Sequence, residues 1–400
     1  QKRMENHSRP RLRSHKPVGA ELSGGLDSSS VVCVAQRLYR DRALPDLGFE
    51  TFSCVLPDLP WDESPYIQEV VRAWNLRSNA LGRRSDGSWY AECARRYLDF
   101  PGYPNGHMTD LLTAVARDKG FRVMLTGVGG DNWFTGSPPD GLPDRIHRVL
   151  HRLRSQSSLQ GVVAESFRIA GRLLGGTPPV RIAPVIPAEF ARRTRLSDRL
   201  RRDLGGLRFR SPVHRKLWQG LTYGFFLHAR EMTDRSAAGF GLEFRHPFCD
   251  RRVVEFALAV PDHQHYRDGQ TKFLLRRALR GVLPEMIRQR SWKAEASYVA
   301  AEALLNQGAG QVFDALEISR LGWIDGEQVR SMFQEVSEAV GRGQKDYLPH
   351  IWYLLRAFGI EVWFRSVFAG GGLVARAPAR RTPRQVANRL APRGESENLC

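Results

Sequence analysis

The 400-residue sequence predicts an α/β fold, a parallel sheet carrying helices on both faces and followed by a largely helical C-terminal part. Three observations carry this. Short apolar runs alternate with helix-spaced segments up to about residue 126. Two glycine-rich turns each follow a short apolar run, as connections at the edge of a parallel sheet do. Beyond about residue 140 helical spacing dominates, broken by Gly175-Gly176, Pro178-Pro179 and Gly205-Gly206.

In order, Pro17–Leu22 reads as a short buried strand and Ser28–Arg40 as a helix with Val31, Val32, Ala35 and Leu38 on its apolar face. Phe49–Leu56 is a second strand. Glu63–Trp74 is a second helix, entered through Pro57, Pro60 and the acidic pair Asp62-Glu63, which reads as first-turn residues. A short strand is expected at Arg77–Leu81, a helix at Thr109–Lys119 stopped by Gly120, and a compact strand at Arg122–Thr126. Residues 1–16 read as a linker or the remnant of a missing N-terminal domain, since residue 1 is Gln. Residues 17–140 form the α/β core, 141–369 a mostly helical region completing the site, and 370–400 a basic, disordered tail opened by Gly370-Gly371-Gly372.

Composition excludes several classes. No apolar run approaches the roughly 18 residues of a membrane span, and the polar, basic start has no secretory h-region. Five widely spaced cysteines (33, 54, 93, 249 and 400), with no CxxC, argue against a disulfide framework or a zinc site and suit a reducing cytoplasm. The net charge of +18 is mostly Arg, only seven of 60 basic residues being Lys. The surplus lies in residues 1–16, 145–215 and 371–400. No nucleic-acid motif accompanies it, so solvated Arg-rich helices and tails are expected rather than a nucleic-acid partner.

The chemistry sits in Glu21-Leu22-Ser23-Gly24-Gly25-Leu26-Asp27-Ser28-Ser29, between the first strand and the first helix. Two glycines let backbone N–H groups approach an anion. The helix N-terminus adds its dipole and free N–H groups. Ser23, Ser28 and Ser29 can donate to phosphate oxygens. Asp27 is the only acid inside the loop, and an acid beside phosphate points to Mg2+. No Gly-Lys-Ser/Thr follows, so this is not a Walker A loop.

The loop is similar to the SGGxDS signature of ATP pyrophosphatases. With three further motifs in order, the chain resembles the synthetase domain of asparagine synthetases and their relatives, which include β-lactam synthetases and lasso-peptide cyclases. The second motif is Thr126-Gly127-Val128-Gly129-Gly130-Asp131-Asn132-Trp133-Phe134-Thr135-Gly136, the third Glu243-Phe244-Arg245-His246-Pro247-Phe248-Cys249-Asp250. The fourth is Thr271-Lys272, Leu275-Arg276, Leu283-Pro284, Arg290 and Lys293. The resemblance implies an adenine-nucleotide α-hydrolase-like sheet and an AMP-forming carbon–nitrogen ligase that uses ATP and Mg2+. It implies adenine held by backbone groups at Leu22 and Val55, and pyrophosphate held by Ser23, Gly24, Gly25, Asp27 and Ser28; Gly127 and Gly129, in the loop after the last strand, are expected to bind ATP as well.

Asp131 then reads as a second magnesium ligand beside Asp27 or an orienter of that loop, with a helix N-cap as the structural alternative. Lys293 is implied to stabilise negative charge in the second half-reaction. Arg245 and Asp250 are expected to form an internal ion pair supporting the site.

Two departures bear on the product. Asparagine-making members usually read S-G-E-G-S-D-E in the second motif, where this chain has Val128 and Asn132. Glutamine-dependent members begin with a glutaminase domain, which 16 residues cannot hold. The expected partners are a small carboxylate or a peptide, with ammonia or an amine from a glutaminase domain or elsewhere. Asparagine formation is the default, macrolactam closure on a peptide the runner-up, and an inactive nucleotide-binding protein the alternative class.

Overall fold

The computed structural model describes residues 10–41, 47–57, 59–82, 89–100, 106–136, 182–203, 209, 211–222, 224–294, 297–344, 348 and 350–368. The expected tail at 370–400 and most of the basic 145–215 segment lie outside these.

Five parallel strands form one sheet in the order β3-β2-β1-β4-β5. They are β1 (Val18–Glu21), β2 (Phe49–Val55), β3 (Arg77–Gly82), β4 (Val123–Leu125) and β5 (Glu243–Arg245). The central strands are short and apolar because both faces are covered: Val18, Ala20, Phe52, Met124 and Leu125 are buried. Gly19 is needed at the centre, since a Cβ there would stand 2.3 Å from Met124 Sδ.

Helices α1 (Leu26–Arg40), α2 (Ser64–Trp74), α3 (Trp89–Tyr97) and α4 (Gly106–Asp118) are the crossovers. Helix α1 is more buried than an amphipathic helix, with Ser28, Ser29 and Ser30 all inside. Ser30 satisfies its hydroxyl by donating to Leu26 O at 2.6 Å. The strands and helices expected from the sequence lie within a few residues of their observed bounds. The sequence reading holds no helix at α3; its Trp-Tyr-Ala-Glu-Cys-Ala-Arg-Arg-Tyr stretch has no large aliphatic side chain and gains its place by packing on the C-terminal helices.

Strand order reverses at β1, which lies between β2 and β4. The loops leaving β1 and β4 therefore diverge over a crevice at the sheet's C-terminal edge, where open α/β sheets bind ligands. Helix α5 (Gly130–Phe134) follows β4 directly.

The later elements are mostly helical: α6 (Ala188–Arg193), α7 (Leu196–Asp203), α8 (Pro212–Thr222), α9 (Gly224–Gly239), α10 (Arg251–Ala259) and α11 (Asp262–His265). A hairpin, β6 (Tyr266–Arg267) and β7 (Gln270–Thr271), leads to α12 (Phe273–Ala278) and α13 (Glu285–Gln289). Strand β5 lies inside the region read as helical, so the sheet continues beyond residue 140; three residues are too few for a periodic signal.

The last helices, α14 (Ser297–Asn306), α15 (Ala309–Asp314), α16 (Glu317–Arg320), α17 (Gly326–Gly341) and α18 (Ile351–Phe368), have their own apolar core around Leu304, Phe313, Ile318 and Leu354. Buried in it, Glu361 accepts from Glu317 N and Ile318 N at the start of α16 and pairs with Arg365, itself buried. Among the described residues, no helix is long and apolar enough to cross a membrane.

Candidate active site

A cleft of about 860 Å3 opens over the C-terminal ends of β1, β2 and β4. Its floor is the β1–α1 loop. Ser23 Oγ lies 3.0 Å from Ser28 Oγ, and the Ser23 and Gly25 amides donate to these hydroxyls at 3.2 and 3.3 Å. The loop closes on itself through groups that an arriving anion can exchange for its own oxygens. Gly24 takes φ +72°, open to glycine, and a Cβ there would stand 2.8 Å from Tyr66 Cβ.

The β4–α5 loop packs on this floor without side chains between. A Cβ on Gly127 would stand 2.6 Å from Ser28 N, and one on Gly130 would stand 2.3 Å from Asp27 Cγ. Gly129 turns the chain at φ +99°, against Cys249 and Trp133. Asp131 follows in the first turn of α5. Gly129 occupies the N-cap and no side chain caps it, so Asp131 is free to face the cleft.

Lys272 enters from the far side. It precedes α12 with φ +56°, a strained conformation for a lysine of the kind that recurs at functional positions. Its Nζ lies 2.5 Å from Asp27 Oδ2 and 2.6 Å from Asp131 Oδ1. Lys293 Nζ donates to Asp131 Oδ2 at 2.5 Å, with most of the Lys293 side chain open to solvent.

Burial raises Asp131, but the ammonium groups of Lys272 and Lys293 outweigh it and hold the carboxyl at about 2. Asp27 is buried deeper. Desolvation raises its pKa, only partly offset by Lys272, and its Oδ1 has no hydrogen-bond partner.

Arg290 braces the floor. Its Nη1 donates to Gly24 O at 3.0 Å and lies 2.7 Å from Glu63 Oε1. Its guanidinium lies in the angle between the edge-to-face rings of Trp292 and Tyr66, 3.8 and 4.5 Å from their centroids. Burial nonetheless raises the Glu63 carboxyl from its ordinary value, with Arg290 only partly offsetting it. Glu63 is thus more than a first-turn residue. The local cap belongs to Asp62, whose Oδ1 accepts from Ser64 N at 3.1 Å and Ser64 Oγ at 2.7 Å.

Of the residues singled out in the sequence, Leu22, Ser23, Gly25, Asp27, Ser28, Gly127, Asp131 and Lys293 line the cleft. Gly24 lies beneath it and Gly129 behind it. Val55 packs into the main core, while its neighbours Cys54 and Leu56 line the wall. The expected Arg245–Asp250 pair does not form. Asp250 caps α10 and pairs with Arg252 at 3.0 Å and Arg11 at 2.6 Å, whereas Arg245 pairs with Glu243 and holds the Arg11 and Arg13 carbonyls.

Two groups gain their meaning only from the structure. Lys272 stands in the fourth sequence motif, but the spacing does not reveal it as the bridge between two acids. Glu21 lines the cleft without a side-chain hydrogen bond among the described residues, and burial pushes it up to about 7.

The asparagine synthase family model matches residues 2–365. The chain belongs to that family. The glutamine-hydrolyzing asparagine synthetase 3 of Bacillus subtilis is 26% identical over 298 residues, covering 69% of this chain and 44% of the relative. Asparagine synthetase 1 of the same organism is 25% identical over 308 residues, covering 70% of this chain and 46% of the relative. A putative glutamine-hydrolyzing asparagine synthetase 2 of Methanocaldococcus jannaschii is 37% identical over 136 residues, covering 32% of this chain and 24% of the relative. This family member thus spans less than half the length of these curated relatives.

Proposed function

We propose that this member of the asparagine synthase family is an ATP-dependent carbon–nitrogen ligase that activates a carboxylate as its acyl-adenylate. The observation that carries the reading is the single ammonium of Lys272 held between Asp27 of the β1–α1 loop and Asp131 of the β4–α5 loop.

In this reading the ATP phosphates lie along Ser23–Ser28, and Leu22 and the wall beside Cys54 receive the base. The substrate carboxylate oxygen attacks the α-phosphorus, the bond to the bridging oxygen breaks, and pyrophosphate leaves with that electron pair. Lys272 and Arg276, both lining the cleft, offset the negative charge gathering on the leaving group. Ammonia or an amine then attacks the acyl carbon, AMP departs, and Lys293 stabilises the oxyanion. Most of the rate gain is positioning and preorganised charge.

The residues fit Mg2+, which takes one or two protein carboxylates together with substrate phosphates. Asp27, with a buried unpartnered Oδ1, and Asp131 would hold it. The ion would supply charge neutralisation of the phosphates.

Aspartate with ammonia is the family default for the substrates. One observation favours the second reading, ring closure on a peptide. Val128 lines the cleft where asparagine-making members carry a glutamate, and Met108 and Leu112 are also in its wall. Such a wall suits an alkyl-bearing amine better than an ammonium ion.

The test is ATP–pyrophosphate exchange with aspartate, other amino acids and peptides bearing acidic side chains. Exchange with aspartate supports the default. Exchange with a peptide alone supports ring closure. No exchange with any of them overturns the adenylation reading and leaves an inactive nucleotide-binding protein.

A further inference from the structure

A second cavity, of about 590 Å3, lies on the other side of Arg276 from the cleft. Five arginines line it (Arg267, Arg276, Arg277, Arg280 and Arg288), together with Gln270, Gln289 and Phe273, and a single acid, Asp268. Three of the guanidiniums are already fixed. Arg276 Nε donates to Thr271 O at 2.9 Å and its Nη1 to Arg288 O at 2.5 Å. Arg288 is buried and forks onto Glu285 at 2.7–3.0 Å.

Arg267 lies 3.4 Å from Asp268 and over the Phe273 ring, on a hairpin whose Asp268-Gly269 turn has both φ angles positive. Arg277, in the last turn of α12, and Arg280, just beyond it, make no ion pair within 4.0 Å among the described residues, though Arg280 lies near Glu285, and both are exposed beside the other three.

Like charges gathered this closely repel one another, and nothing in the core requires Arg277 or Arg280 there. Planar guanidinium forks match phosphate oxygens pairwise. The volume falls within the range of small-ligand sites. The cavity is too polar for an apolar guest, and at its rim Gln270 Nε2 donates to Gln289 Oε1 at 3.3 Å.

We propose that this arginine cavity is a second anion site, one that binds a small diphosphate group, with Arg276 as the wall it shares with the catalytic cleft. The source that fits the shared wall is pyrophosphate itself, released in the cleft and held next to it. This part rests on the adenylation reading; the anion site does not. A diphosphate bound there would draw on the Arg276 guanidinium, which burial makes harder to keep charged and the Asp27 carboxylate makes easier.

The experiment is calorimetric titration of the full chain with inorganic pyrophosphate, and separately with ADP, at low and high salt. The variants are Arg277→Gln/Arg280→Gln and, to empty the cleft, Lys272→Ala. The proposal expects two pyrophosphate sites in the parent and one in each variant. The site lost in the arginine variant should weaken about tenfold or more when chloride is raised from low to high. Pyrophosphate binding tighter than ADP at that site supports the released product as ligand; ADP binding tighter overturns the product assignment.

One site in the parent, lost on Arg277→Gln/Arg280→Gln and kept in Lys272→Ala, supports the cavity while counting against the cleft reading. Equal stoichiometry and affinity in the parent and in a folded Arg277→Gln/Arg280→Gln protein, matched in melting temperature, overturns the proposal.

Discussion

Lys272 Nζ stands within 2.6 Å of two carboxylates, Asp27 and Asp131, that leave the sheet on different strands. This ammonium joins the two loops, which also pack directly through Gly127 and Gly130. The Asp131 carboxylate raises the proton affinity of Asp27, while Lys272 and Lys293 outweigh burial and lower that of Asp131. Lys272→Ala is expected to lower ATP–pyrophosphate exchange by about 100- to 1,000-fold. The fold should survive, which far-ultraviolet circular dichroism checks.

The close approach of the two loops gives a steric prediction. A methyl group on Gly130 collides with the Asp27 carboxyl, and one on Gly127 collides with the Ser28 amide. Gly130→Ala is expected to cost about 1–3 kcal/mol of stability in urea unfolding. It should also weaken ATP binding, because Asp27 must turn out of its place. Gly341→Ala, with no positive φ and nothing within 4 Å of the added carbon, serves as the remote comparison.

Arg290 tests the brace beneath the phosphate loop. Its removal strands Glu63 in a largely buried site and frees the Gly24 carbonyl. Arg290→Ala is expected to lose about 3 kcal/mol in stability. Arg290→Lys should recover only part of this, since an ammonium keeps the charge but not the planar contact with the Tyr66 and Trp292 rings. Urea unfolding of the three proteins measures both effects.

Glu21 makes a pH prediction with a definite sign. Burial raises its folded pKa from 4.5 to about 7. A raised carboxyl favours the folded state below the unfolded pKa and loses that advantage as pH rises through the folded one. Glu21→Gln cannot lose a proton. Its melting temperature should therefore match the parent's near pH 4.5 and rise above it progressively toward pH 7, the gap staying constant beyond. Calorimetric scans across this range decide it; a gap that is flat with pH contradicts the burial of a free carboxyl.

The Ser23–Ser28 loop was legible because its signal is local: glycines, hydroxyls and one acid between a strand and a helix. The same holds for Gly127 and Asp131 after β4. What stayed hidden depends on distant pairing. Lys272 lies 245 residues from Asp27, and no spacing rule reports which of several acids an ammonium will meet. Arg290 reaches Gly24 across 266 residues for the same reason. The Arg245–Asp250 expectation failed because Arg11 and Glu243 offered nearer partners. Glu21 read as one more residue of a strand, since its meaning comes from the wall it faces.

The most direct measurement is the fate of oxygen. The carboxylate that supports exchange is labelled with 18O in both oxygens and turned over with ATP and the amine, and the released AMP is examined by mass spectrometry. Attack on the α-phosphorus predicts one 18O atom in the AMP phosphate, and none when Asp27 is replaced by alanine and turnover is lost. Label retained wholly in the amide and water, or transferred to inorganic phosphate with ADP formed, contradicts an adenylating site between Asp27, Asp131 and Lys272.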